Sequence, residues 1–198
     1  MKHIKNYLLV GLMVTGGLFT SCGDDDAPAA ENEEEVIDLV TLTFTPQGGG
    51  SAVVAIAEDP DGEGAADFET EVINLDINTT YDLAIKVENS EEGENITEEI
   101  EEEDEEHMFF FAFTNNIFSD PAGNGNVDNR TDDVNYGDQD ADGNPVGLST
   151  SWTTSGTVSS DGTFQVILKH QPDIKSATSS SSDGETDIDI TWTINING

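Results

Sequence analysis

Hydrophobic and polar positions alternate with a period of two along much of the chain. In 38–45 (DLVTLTFT), Val40, Leu42 and Phe44 fall on one side and Leu39, Thr41 and Thr43 on the other, the pattern of a strand with two unlike faces. Pro46-Gln47-Gly48-Gly49-Gly50 is turn chemistry, and 51–57 (SAVVAIA) predicts a second strand. Further strands are predicted over 69–75 and over 81–89, where Tyr81, Leu83, Ile85 and Val87 share a face while Asp82, Lys86 and Glu88 meet water. Residues 108–113 (MFFFAF) are apolar throughout and predict a strand buried on both faces at the centre of a sheet. Strands over 146–153, 162–170 and 185–196 complete the set. The last of these carries Ile188, Ile190, Trp192, Ile194 and Ile196 inward.

The alternation breaks at 96–106 (ITEEIEEEDEE). Ile96 and Ile100 lie one helical turn apart, Asn95 is a good N-cap, and acids suit a first turn. The acids of the second half oppose the helix dipole and repel one another, so that half needs compensation or frays. With the acidic loops at 58–66 and 119–145, the whole predicts a mostly β protein. It is an antiparallel β-sandwich of about eight strands, with one short acidic helix and long acidic loops. The stretch Leu75-Asp76-Ile77-Asn78-Thr79-Thr80-Tyr81 resembles the tyrosine corner of immunoglobulin-like and fibronectin-III-like sandwiches, and through that resemblance implies the same class here.

The N-terminus follows a different logic. Lys2 and Lys5 precede an apolar run at 7–19, and Thr20-Ser21-Cys22 follows. A positive start, a short apolar segment and small residues before a cysteine predict a secretory signal peptide over 1–21. The apolar run is shorter than the roughly 20 residues needed to span a bilayer. Cys22 is the single cysteine and sits where a lipobox places its acylated cysteine, with Phe19 where Leu is usual. Residues 22–36, acidic and Ala/Pro-rich, predict a flexible tether, leaving one domain over 37–198. Gly23-Asp24-Asp25-Asp26 resembles the surface-export signal of Bacteroidota lipoproteins. The expected location is therefore the outer membrane, lipid-anchored through Cys22 and surface-exposed. Once Cys22 is acylated, no disulfide or thiolate site remains.

The chain of 198 residues has 6 Lys and Arg against 42 Asp and Glu, a formal net charge of −36. Such a surface repels nucleic-acid phosphate and anionic lipid head groups and favours cations. Two groups of residues give that preference a chemical form. Asp138, Asp140 and Asp142, with Gly143, follow the D-x-D-x-D-G spacing of the front of a Ca²⁺ loop. The position where an EF-hand has its closing Glu holds Ser149, so the alternatives are an isolated Ca²⁺ loop and an acidic hairpin turn. On a helix, Glu103 and His107 share a face, and a Glu-x-x-x-His pair supplies two ligands to Zn²⁺ or Cu²⁺. His170 is the other histidine of the mature chain. A meeting of His107, His170 and Glu103 would make a transition-metal site; without it the acids are a solvated face. Glu58 to Gly64 looks like a degraded copy of the Ca²⁺ spacing and reads as a plain loop. Catalytic motifs such as G-x-S-x-G, H-E-x-x-H and a phosphate loop are absent, and the chain is expected not to be an enzyme.

Several segments together resemble a family of small acidic Bacteroidota lipoproteins. They are Leu42-Thr43-Phe44-Thr45-Pro46-Gln47-Gly48-Gly49-Gly50, Ile96-Thr97-Glu98-Glu99-Ile100-Glu101-Glu102-Glu103, Glu106-His107, Asp140 through Leu148, Leu168-Lys169-His170 and Gly184-Glu185-Thr186-Asp187. These proteins are often labelled type 1 periplasmic binding fold superfamily proteins and are associated with TonB-dependent receptors. The label implies two α/β lobes; the alternation above predicts a β-sandwich instead. The resemblance implies a TonB-dependent outer-membrane receptor as partner. The expected function is capture of a divalent metal ion or metal complex for that receptor. The alternatives are a calcium-stiffened immunoglobulin-like adhesion module and a small glycan hydrolase.

Overall fold

A computed structural model of the protein describes residues 36–62 and 67–198. The expected leader, Cys22 and nearly all of the tether lie outside these residues, as does part of the 58–66 loop. In chain order the elements are β1 (Leu39–Pro46), β2 (Val53–Glu58), β3 (Glu69–Thr70), β4 (Ile73–Asp76), β5 (Thr80–Glu88), α1 (Ile96–Glu102), β6 (His107–Phe113), β7 (Phe118–Asp120), β8 (Asn135–Tyr136), β9 (Ser149–Thr154), β10 (Ser159–His170) and β11 (Glu185–Asn197). No helix among the described residues is long and apolar enough to cross a membrane.

The strands form two sheets packed as a β-sandwich. The larger runs β3-β2-β1-β5-β9-β7, with β8 also paired to β9; the smaller runs β4-β11-β10-β6. The two-residue periodicity sets the packing. Val40, Leu42 and Phe44 of β1 and Tyr81, Leu83, Ile85 and Val87 of β5 are buried from the first sheet, and the alternate isoleucines and Trp192 of β11 from the second. Aromatic rings join the two: Trp152 of β9 meets Phe164 of β10 edge to face at 5.2 Å and Phe111 of β6 at 5.3 Å, and Phe44 of β1 reaches Phe164 at 5.9 Å. Where the chain passes from β4 to β5 it changes sheet. There the Tyr81 hydroxyl accepts the Asp76 N–H at 3.0 Å.

Three sequence expectations are corrected. Residues 69–75 are not one strand: Glu69 and Thr70 pair with β2 in the first sheet, whereas Ile73–Asp76 run beside β11 in the second. The β4–β11 pair is also parallel, so the sandwich is mixed rather than wholly antiparallel. Third, β6 is buried on both faces yet lies at the edge of its sheet, not the centre. Its free side is shielded by the following loop. The Asn126 N–H reaches the Phe111 carbonyl at 2.8 Å, the Phe113 N–H reaches Asn124 at 2.9 Å, and the Phe109 N–H reaches Val146 at 2.7 Å. Asn126 also accepts the Phe111 N–H and donates to the Tyr136 hydroxyl, which donates to the Phe109 carbonyl. An irregular segment thus replaces a neighbouring strand and covers an edge that would otherwise invite another chain. Such a layer on Met108 and Phe110 also gives that face its own small core with Ile167, Val127 and Tyr136.

Gly125 permits this cover. Its φ is +89°, and a Cβ there would stand 2.0 Å from the Phe111 carbonyl oxygen. Gly125→Ala should therefore destabilise the protein by about 2–4 kcal/mol, through left-handed strain and a backbone clash. Urea denaturation measures this; a change below about 0.5 kcal/mol would show that the loop does not bear on the edge.

Candidate metal centre

His107 is the first residue of β6 and His170 the last of β10, and the register of the two strands sets them directly opposite each other. Both alternate onto the core-facing side with Phe109 and Leu168, and both are buried. Their rings stack, with centroids 4.6 Å apart and planes 8° from parallel. Glu103, exposed, completes the group: one ligand atom from each of Glu103, His107 and His170 lies within 4.8 Å of the others. Among the described residues no other set of three such side chains converges so closely.

The route by which Glu103 arrives differs from expectation. The helix stops at Glu102, with Glu103 as its C-cap, because the acids of its second half repel one another and oppose the dipole. Asn95 stands at the N-cap position but makes no side-chain cap; Thr97 fixes the helix instead, accepting the Val87 N–H at 2.7 Å and donating to the Val87 carbonyl. After Glu102 a turn runs to His107. It is held by Glu106 N–H to the Glu103 carbonyl at 2.9 Å, by Gln171 N–H to the Glu106 carbonyl at 2.6 Å, and by Lys175 Nζ on the Asp104 carbonyl.

Hydrogen bonds orient both imidazoles. His107 Nδ1 lies 3.2 Å from the Glu103 carbonyl oxygen, which can only accept, so Nδ1 carries the proton and Nε2 keeps its lone pair. His170 Nε2 lies 3.2 Å from Glu106 Oε2. A carboxylate behind a histidine in this way resembles the outer-shell support of metal-ligating imidazoles. Burial, and then the neighbouring His170, lower the His107 pKa to about 4. The ring is therefore neutral at pH 7, the form that ligates metal. Because the rings are parallel, their in-plane lone pairs do not meet at one point. To bring both onto a single ion, one ring would have to tilt out of the stack.

Two residues at this end of the fold escaped the sequence reading. Glu106 was legible only as one acid in a run. Asp187 was hidden by the clean alternation around it. Leu168 pairs with Ile188 but Lys169 pairs with Thr186, so Asp187 is the extra residue of a β-bulge. Bulges re-aim side chains, and here Asp187 Oδ2 is buried without a hydrogen-bond partner. Desolvation pushes its carboxyl up to about 6, more than His170 and Lys169 pull it down.

The aspartates of the D-x-D-x-D-G segment have partners within the chain. Asp138, Asp140 and Asp142 do not form a close group of three ligand atoms among the described residues. Asp138 accepts the N–H groups of Gly147 at 2.8 Å and Ser149 at 3.0 Å. Asp140 accepts the N–H groups of Asn144 at 2.7 Å and Asp142 at 3.0 Å. Asp142 is exposed. The cation that neutralises the loop is Lys175, whose Nζ stands 3.0 Å from Asp140 Oδ2 with both side chains buried. Desolvation raises the Asp140 pKa, but hydrogen bonds from Lys175 and Asn144 outweigh it and the net direction is down. These bonds are of the kind an acidic hairpin turn makes, and a lysine from sequence-distant 175 joins them.

Features expected of a glycan site are not found in the clefts bordered by Leu148 and by Glu71, neither of which is lined by an aromatic side chain. Trp152 and Trp192 are fully buried. The chain matches no protein-family model, and no curated protein or solved structure is significantly similar to it.

Asp140→Asn should cost about 3–5 kcal/mol, because it leaves the Lys175 ammonium buried without a counter-charge. Thermal or urea denaturation tests this; a loss under about 1 kcal/mol would mean the pair is not a lock. Two further variants separate opposite pH effects. His107 holds a folded pKa below its unfolded value of 6.5, so relative to His107→Gln the wild type loses stability as pH falls from 6.5 to about 4. The full difference is up to about 3 kcal/mol. Asp187 holds a folded value above its unfolded 3.8, so its contribution is lost as pH rises from 3.8 to about 6. Asp187→Asn should then be about 1–2 kcal/mol more stable than wild type at pH 7 and equal to it near pH 4. Melting curves across that range give both signs.

Proposed function

We propose that this protein captures a divalent transition-metal ion, Zn²⁺ or Cu²⁺, through His107, His170 and Glu103. The observation that carries this reading is the meeting of both described histidines, one from each of two sequence-distant strands, beside a carboxylate. Two imidazoles and a carboxylate suit Zn²⁺ and Cu²⁺ rather than Ca²⁺, which takes oxygen ligands. The acidic run from Glu98 to Glu106 raises the local concentration of cations. The neutral state of His107 removes proton competition at physiological pH.

The cellular setting of this reading is a lipoprotein of the outer membrane, anchored through acylated Cys22 and facing outward. The lysines, apolar run and Thr20-Ser21-Cys22 support export and lipidation. Gly23-Asp24-Asp25-Asp26 supports surface display. In that setting the captured metal passes to a TonB-dependent receptor, the partner implied by the resemblance of the chain to small Bacteroidota lipoproteins.

Isothermal titration of the chelator-stripped protein with Zn²⁺, Cu²⁺ and Ca²⁺ tests the reading. Zn²⁺ or Cu²⁺ should bind with a Kd of about 1 μM or tighter, at one ion per chain. The His107→Ala/His170→Ala double variant should abolish binding, and Glu103→Gln, at an exposed position, should weaken it by about tenfold without loss of folding. Equal binding by the wild type and the double variant would assign any bound metal to the surface acids and end the proposal.

A further inference from the structure

A cleft lies where the larger sheet opens. Strands β5 and β9 pair from Thr80↔Thr153 to Ala84↔Ser149 and then separate. Leu148 keeps one last contact, its carbonyl accepting the Ile85 N–H at 2.9 Å. The chain before Leu148 swings away as the 138–147 loop, and α1 lies over β5 beyond the gap. The result is a cleft of about 370 Å³, within the size range of small-molecule sites.

The lining combines an aliphatic and an acidic part with the neutral polar Thr97, Gln139 and Ser149. Its floor is aliphatic: Ile85, Val146 and Leu148, which belong to the main core, and Ala84. Its rim carries Glu101 from the helix, Asp104 from the turn and Asp138 from the loop. These carboxylates come from two separate stretches of chain, 101–104 and the 138–147 loop, and no lysine or arginine lines the cleft. Lys175, which approaches this end of the fold, is taken by Asp140 and the Asp104 carbonyl. Asp138 is also preorganised, since two backbone N–H groups hold its carboxylate in place. An apolar floor rejects a bare inorganic cation, which would lose hydration there without replacement ligands. An acidic rim rejects anions. A molecule that satisfies both carries a positive charge at one end and an apolar body at the other.

We propose that this cleft binds a small organic ammonium ion, with its alkyl or aryl body on Ile85, Val146 and Leu148 and its charged nitrogen among Glu101, Asp104 and Asp138. The cleft does not include the histidine pair, and its occupancy stands independently of metal capture.

The experiment is NMR titration of the isotope-labelled protein with three probes: phenethylammonium, its isosteric anion 3-phenylpropanoate, and methylammonium. Phenethylammonium should shift the methyl resonances of Ile85, Val146 and Leu148 saturably, with a Kd below about 1 mM. The anion and the bodiless cation should each bind at least about tenfold more weakly. Glu101→Gln/Asp104→Asn should weaken phenethylammonium by about tenfold and lose most of the salt dependence. Ala84→Phe, at an exposed position, should fill the cleft and block binding while leaving the melting temperature in place. Absence of a saturable shift would overturn the proposal, as would equal binding of the anion. So would undiminished binding by the filled variant. The same titration with the histidine double variant should be unchanged, which separates this site from the metal reading.

Discussion

The two sheets meet on a block of aromatic rings, and everything else in the fold depends on that contact. Trp152 sits edge to face against Phe164 and Phe113, with Phe118 and Phe111 around it. With its single cysteine at position 22, the described domain has no disulfide to hold the sheets. The rings must do so by burial and by geometry: each aromatic pair adds about 0.5–1.5 kcal/mol beyond its buried area. The block also sets the distance between β6 and β10 and the larger sheet. It therefore governs where the far ends of those two strands deliver His107 and His170.

A net charge of −36 works against any compact state, and the fold handles it by dividing its acids into two populations. A few are structural. Asp38 accepts the backbone N–H groups of Ser90 and Glu91 and the Ser90 hydroxyl. Asp138 and Asp140 close the 138–149 segment on backbone amides and on Lys175. Placed in this way, a carboxylate satisfies donors that would otherwise be unpaired. Most of the other described acids face water, where their repulsion is screened. Asp187 belongs to neither population, being half-buried with an oxygen that bonds nothing.

Much of the fold was legible because the period-two signal is strong wherever one face is buried. β5 and β11 are examples, with their inward residues named correctly from the alternation, and β1 shows the two unlike faces that its alternation predicted. The failures have physical reasons. The split at 69–76 is invisible because Glu-Thr-Glu-Val-Ile-Asn-Leu alternates the same way whether its two halves serve one sheet or two. The edge position of β6 was missed because a loop covers its open side, so both faces carry apolar residues as a central strand would. The three aspartates at 138–142 suit a Ca²⁺ loop and a capped turn equally well. The partner that the fold gives Asp140 is Lys175, whose approach no local spacing announces. The pairing of His107 with Glu103 was read from helical spacing, yet a turn produces it. The meeting with His170 depended on the register of β6 and β10, which sequence does not fix.

The place of β11 in its sheet has a consequence for biosynthesis. It lies between β10 and β4 and pairs with both, and it brings Trp192 and four buried isoleucines to the core. A chain that emerges N-terminus first, from a ribosome or through a translocation channel, can assemble β1, β2 and β5 early. It cannot close the smaller sheet until residues 185–197 arrive. Until then β10 and β4 present open apolar edges, the species most prone to pair with another chain. The same order of events keeps the nascent chain incompletely folded during synthesis, the condition under which a polypeptide can still be threaded across a membrane.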